Sequence, residues 1–254
     1  MAELLSLNLE EYFCSYENEI YRIVEGQHFI ATRKLVDNDE EQAILEEILD
    51  QSKPPVSTRN SHGQLHYLLY TPFRYPPLKS GGRFHTRLEQ SIFYGSESLP
   101  TSMAEIAYGR FLFMQHTAAR FPSMQVPYTH FVAKVKSGKS VLLTHKPFDV
   151  EESRISSATS YAYSQALGAS MRKAGVELFS YFSARARRSI NIGLFSQEAF
   201  KANKPVAGKE KHWSVFISPE TIEFQRPHIN DNRKETHVFA AQDFFVGGKF
   251  PVIL

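Results

Sequence analysis

The chain has 254 residues, 42% of them apolar and 22% charged, with a formal net charge of +2. That length suits one large domain with a sizeable core, or one domain and an appendage, and so small a charge gives no electrostatic argument for nucleic acid or a membrane surface. The lone cysteine, Cys14, excludes an internal disulfide and a cysteine-based metal site, and no run approaches the ~20 apolar residues that span a bilayer.

The opening residues, M-A-E-L-L-S-L-N-L-E-E, have neither a basic leader nor a long apolar run, so no signal peptide is expected and a cytoplasmic location follows by elimination. Residues 1–18 read as an amphipathic leader packed on the body. Residues 20–24, I-Y-R-I-V, predict a short strand whose apolar run Arg22 interrupts, as edge-strand arginines do. From residue 37 the chain reads D-N-D-E-E-Q-A-I-L-E-E-I-L-D-Q. Ile44, Leu45, Ile48 and Leu49 form one apolar stripe on an acidic helix, which Lys53-Pro54-Pro55 stops. This segment reads as a packing or partner surface. His62 and His66 are four apart, but the glycine between them and the want of a third ligand argue against a metal site. Residues 65–70 predict a strand, followed by an extended stretch that Pro72, Pro76 and Pro77 stiffen and that carries Arg74 and Tyr75.

The stretch from Tyr70 to Arg110 organises the rest. Arg83, Tyr94 and Glu105 stand eleven residues apart in three settings: Arg83 after two glycines, Tyr94 at the end of an apolar run, and Glu105 inside a helix that Pro100 and Thr101 would start. A cation near permissive backbone, an aromatic at a strand end and a carboxylate in a helix's first turns can converge on one small ligand. In that helix Met103, Ile106, Ala107, Phe111 and Met114 make the core stripe. Glu105 falls opposite it, yet its helical neighbours there are Tyr108, Gly109 and Leu112, not a solvated set. A first-turn glutamate stabilised by the helix dipole would look the same, so the composition points to a cleft without requiring one.

Beyond the helix at 101–116, residues 129–136 alternate as a strand does, with Gly138 placed to turn a hairpin into 140–143. Residues 160–174 predict a helix ending at Gly175. A strand at 176–182 gives way to Ser183 and the basic loop A-R-A-R-R-S. At a strand end Ser183 suits a site, though a serine there also bonds its own loop backbone. A strand at 191–195 follows. The tail offers strands at 213–217 and 221–225, then V-F-A-A-Q-D-F-F-V-G-G-K-F. There is no internal repeat, Walker loop, G-x-G-x-x-G, H-E-x-x-H or G-x-S-x-G.

G-G-R followed by an aromatic, then Tyr94, then A-E-x-A at Glu105, with S-A-R at Ser183 and N-x-x-L-F from Asn191, resembles the RES domain. That family is named for an Arg, a Glu and a Ser, and its members are mostly toxins of bacterial RES–Xre toxin–antitoxin pairs. Phe84 and His85 stand where Trp and Asn are usual, a long insertion precedes Gly81, and Phe182 replaces the proline that often precedes the serine. The resemblance implies one α+β domain over 1–254, with mixed sheets and packed helices like the ADP-ribosyltransferases and an inserted helical segment at about 37–60. It implies chemistry on NAD as substrate without a metal, with inorganic phosphate, water or a protein side chain as acceptor, and an Xre-type antitoxin as partner. It makes Arg22 the family's first arginine, with Arg83 beside it to hold the diphosphate and Arg74 a third-ranked competitor. Glu105 would stabilise the developing cation or orient the nucleophile, Tyr94 would bracket the nicotinamide ribose, and Ser183, or else Ser180, would bond ribose or nicotinamide, with Asn191 on the same ligand. Membrane attachment and direct nucleic-acid binding are not expected.

Overall fold

A computed structural model describes residues 6–26, 35–52, 56–74, 80–117, 123–227, 234–251 and 253. Its spine is β5 (Met124–Leu142), one uninterrupted strand. Along one edge of β5 runs β1 (Cys14–Glu25), antiparallel from Tyr128 to Ser140. The opposite edge takes β8 (Lys211–Ile217), antiparallel at residues 124–130, and β6 (Leu178–Phe182), parallel at 140–142. From β6 the sheet continues through β7 (Ile190–Leu194) and β4 (Phe93–Ser96), both antiparallel, and β4 returns to β1 through the pair Tyr21↔Ser96. Five strands therefore close on themselves, while β9 (Thr221–Pro227) and β10 (Lys234–Ala240) extend the sheet from β8. A two-residue pair, β2 (Arg59–Asn60) with β3 (Gly63–Gln64), stands apart.

Helices cover the sheet on several sides, in the α+β class expected. The first, α1 (Asp39–Ser52), confirms the acidic helix, but Ile44, Ile48 and Leu49 of its stripe are exposed. Next come α2 (Tyr67–Arg74), α3 (Leu99–His116), the short α4 (Glu152–Ile155) and α5 (Ala162–Lys173). Leu65, Leu68, Leu69 and Phe73 pack with Ile20, Phe93, Phe131 and Phe200. A second cluster joins Phe84, Leu167, Met171, Phe179 and Tyr181, and a third joins Met103, Ala107 and Phe111 of α3 to Trp213, Phe224 and Phe244.

Five expectations need correction. Residues 65–70 do not form a strand: the buried positions 65, 68, 69 and 73 have helical spacing, and the His66 ring accepts from the Leu68 amide at the helix start. The same helix takes in Pro72 and Arg74, so neither lies in an extended stretch; Tyr75, Pro76, Pro77 and the 53–55 stop lie outside the described residues. Gly138 turns no hairpin. The β1 partner runs past it, and a bulge between the pairs Cys14↔Ser140 and Tyr16↔Ser137 absorbs one extra β5 residue. Residues 14–18 belong to β1, not to a leader, because pairing with β5 satisfies their backbone. The tail holds a third strand, β10, which supplies Phe239 to the third cluster. Gly175, in contrast, has φ +76° and closes α5 as predicted, with its amide donating to the Arg172 carbonyl.

Candidate active site

The site lies where β4, β7 and β6 pass under α3. Across the three strands the pairs Ser96↔Asn191 and Asn191↔Tyr181 set three side chains in one row, and Tyr94, two residues from Ser96, shares its face. Above the row crosses α3, started by Ser98, whose hydroxyl accepts from the Thr101 amide at 3.3 Å.

Glu105 of α3 meets this row. The Ser183 hydroxyl donates to Glu105 Oε1 at 2.7 Å, and the Asn191 amide donates to the same oxygen at 2.6 Å. Ser96 donates to Asn191 Oδ1 at 2.7 Å and so fixes which way the Asn191 amide points. Both donors thus converge on Oε1, and among the described residues none reaches Oε2. Glu105 lines a cleft of about 390 Å³ shared with Arg22, Gly81, Gly82, Arg83, Tyr94 and Tyr161, among others.

Two arginines stand on that cleft. The G-G-R turn is tight: Gly82 donates to the His85 carbonyl at 2.8 Å, and Gly81 has φ +72°, where a Cβ would lie 2.3 Å from the His85 oxygen. The turn is backed by α5, since a Cβ at Gly168 would lie 2.1 Å from the Phe84 carbonyl oxygen. Phe84 is fully buried against Phe179 and Tyr181. Arg83 donates to the Ser157 carbonyl at 2.7 Å and lies over the Tyr161 ring. From β1, Arg22 crosses the Phe93 ring and donates to the Tyr94 carbonyl, while its Nε is buried without a partner. Burial pushes the Arg22 guanidinium down to about 10, which still leaves it charged at neutral pH.

The aromatic groups are neutral there too. Burial raises the Tyr94 phenol, opposed by the Phe84 amide donating to its oxygen and by Arg83. Burial, then Glu105, raises Tyr181. His85, 3.4 Å from the Tyr94 hydroxyl, is drawn down to about 4 by burial and then by Arg172.

Of the residues singled out in the sequence, Arg22, Arg83, Tyr94, Glu105 and Asn191 line this one cleft. Ser183 is buried behind Glu105, and its oxygen also accepts from the Arg185 and Ala186 amides at 3.0 Å. Its turn bonding and its bond to the carboxylate coexist. Ser180 faces Thr144 instead, and neither it nor Arg74 lines the cleft. Sequence reasoning missed Ser96, Tyr161 and Tyr181. Strand alternation carried a signal for two of them, since Ser96 is two residues from Tyr94 and Tyr181 two from Ser183; Tyr161, just before α5, had none.

No curated protein matches the chain. Among solved structures it is similar to the M. tuberculosis MbcT–MbcA toxin–antitoxin complex, at 13% identity and a TM-score of 0.43, over 85% of this chain and 94% of that one. A family model described as the RES domain matches residues 58–218, which contain the G-G-R turn, Tyr94, Glu105, Ser183 and Asn191. With well over half its length matched and those residues gathered around one carboxylate, the chain belongs to the RES domain family.

Proposed function

We propose that this protein is an NAD-consuming toxin that cleaves the nicotinamide–ribose bond, with phosphate or water as acceptor. The observation that carries the reading is a single carboxylate, Glu105, oriented by two donors on one oxygen and set on a cleft with two arginines. Breaking the glycosidic bond leaves its electron pair on nicotinamide, which departs as a neutral base and needs no general acid. The sugar becomes oxocarbenium-like, as in glycoside hydrolysis, but one carboxylate can suffice. Glu105 Oε2 would face the developing cation or orient the nucleophile, a task for preorganised charge. Ser183 and Asn191 hold the carboxylate for that task. Arg22 and Arg83 would take the diphosphate through fork-shaped bonds, and the unpartnered Arg22 Nε supports a ligand there. Tyr94 and Tyr161 would bracket the ribose or ring. An Xre-type antitoxin as the restraining partner is proposed from family membership.

Arg83→Lys should weaken NAD binding by on the order of tenfold, because lysine keeps the charge and loses the fork. Arg74→Lys should leave binding within about twofold of the parent, since an exchange that conserves charge away from the ligand perturbs little. Calorimetric titration of both variants with NAD compares them directly, and the reverse order would move the diphosphate site.

The acceptor has its own test. Phosphorolysis joins a phosphate oxygen to the ribose carbon that nicotinamide leaves, giving ADP-ribose-1″-phosphate, and needs donors for a second anion. Arg22 and Arg83 line the cleft and would supply them. NAD loss is expected to accelerate with inorganic phosphate and to yield that product by mass spectrometry. Phosphate-independent loss giving ADP-ribose makes the protein a hydrolase. A mass gain on an added protein would favour protein ADP-ribosylation, a reading that the exposed Ile44 and Ile48 on α1 keep in view as a docking face.

A further inference from the structure

The family match ends at residue 218, yet the chain returns to the site after it. Past β10, a tight bridge between Val246 and Lys249, with Gly247 and Gly248 at φ +59° and +77°, redirects the backbone. Phe250 then stacks on the Tyr108 ring at 5.2 Å and 9° between planes. The Tyr108 hydroxyl donates to the Pro251 carbonyl at 3.1 Å, and Ile253 lines the cleft beside Glu105 and Ile106.

Tyr108 lies one helical turn beyond Glu105, and its ring has a second partner. The Arg185 guanidinium carbon is 3.3 Å from the ring centroid. A cation that close and a ring stacked in parallel would collide on one face, so Phe250 and Arg185 hold opposite faces of Tyr108. Arg185 also donates to the Ala158 carbonyl at 3.2 Å. Its backbone amide, with that of Ala186, donates to the Ser183 hydroxyl oxygen, which in turn donates to Glu105. Continuous contact therefore runs from Phe250 through Tyr108, Arg185 and Ser183 to the carboxylate.

We propose that Phe250, Pro251 and Ile253 are part of the active site, and that Phe250 and Tyr108 are positioning residues which clamp Arg185 and thereby hold the Ser183 turn against Glu105. The effect on turnover rests on the NAD reading above; the clamp itself does not. If Arg185 is released, the two amides lose their fixed relation to the Ser183 oxygen. Ser183 then orients Glu105 less well. The diphosphate arginines are untouched, so the loss falls on kcat rather than on KM.

The test pairs hydrogen exchange with kinetics on the full chain and its Phe250→Ala, Phe250→Tyr and Tyr108→Phe variants. Phe250→Ala should speed exchange of the Arg185 and Ala186 amides and lower kcat, each roughly three- to tenfold, the range an aromatic pair supports, with KM changed less than about twofold. Phe250→Tyr keeps the stack and should restore both readouts. Tyr108→Phe removes only the bond to Pro251 and gives a milder version of the same pattern, keeping the inference testable should Phe250→Ala fold poorly. Unchanged exchange at those amides overturns the clamp. Faster exchange with unchanged kcat overturns its role in the site. If the parent chain consumes no NAD the proposed function falls, and amide exchange alone then decides the clamp.

Discussion

Glu105→Gln is expected to leave the fold and NAD binding intact while cutting NAD turnover by about 10²-fold or more, the scale of losing one preorganised electrostatic group. The variant is clean because of how the carboxylate is held. Ser183 and Asn191 both donate to Oε1, and a glutamine oxygen can accept the same two bonds, so only the charge and the second oxygen are lost. Stopped-time assays of NAD loss, with a thermal melt and an NAD titration as controls, separate chemistry from binding. Turnover at the parent rate would remove Glu105 from the mechanism.

Asn191→Asp is expected to do damage of a different kind. It replaces an amide that donates to Glu105 Oε1 at 2.6 Å with a second carboxylate at the same place. Two carboxylates that close resist ionising together, so the pair holds a shared proton to higher pH than either would alone and titrates as a unit. Activity that requires an ionised Glu105 then appears only at higher pH. The acidic limb of the kcat profile should move up by on the order of two pH units. Asn191→Ala, which loses the donor without adding charge, should lower kcat and leave the limb in place. Profiles of the parent and the two variants between about pH 3.5 and 9, a span that takes in an ordinary carboxylate at about 4.3, make the comparison. A limb that stays put in the aspartate variant would mean that Glu105 acts in some way other than through its charge.

Much of this site was legible in the sequence, and each legible part has a short-range cause. The helix carrying Glu105 shows in its Pro100 and its apolar spacing, and Ser98 before it makes the cap. The end of α5 shows at Gly175 because only that residue takes φ +76° without strain. The G-G-R turn shows because a side chain at Gly81 would strike the His85 carbonyl. Capping, periodicity and left-handed turns are decided within about one helical turn of chain, so a single sequence can display them, and the family resemblance then ties Arg83, Tyr94 and Glu105 to one chemistry.

Where local signals competed, the reading failed. The 65–70 segment carries two tyrosines, which suit a strand, but burial of Leu65, Leu68, Leu69 and Phe73 against the sheet selected a helix despite Pro72. Gly138 offered a turn that the long β1 partner overrode.

What tertiary structure alone decided is the convergence itself. Ser96 and Asn191 are 95 residues apart and meet through strand register; Ser183 reaches back 78 residues to Glu105, and the Tyr108 hydroxyl finds the Pro251 carbonyl 143 residues on. Residue type and local spacing determined which groups this chain can bring to a site and the backbone on which each sits. Their meeting depends on the closed ring of β1, β4, β7, β6 and β5, because strand register is settled by burying the whole apolar face at once and has no local cause in any one segment.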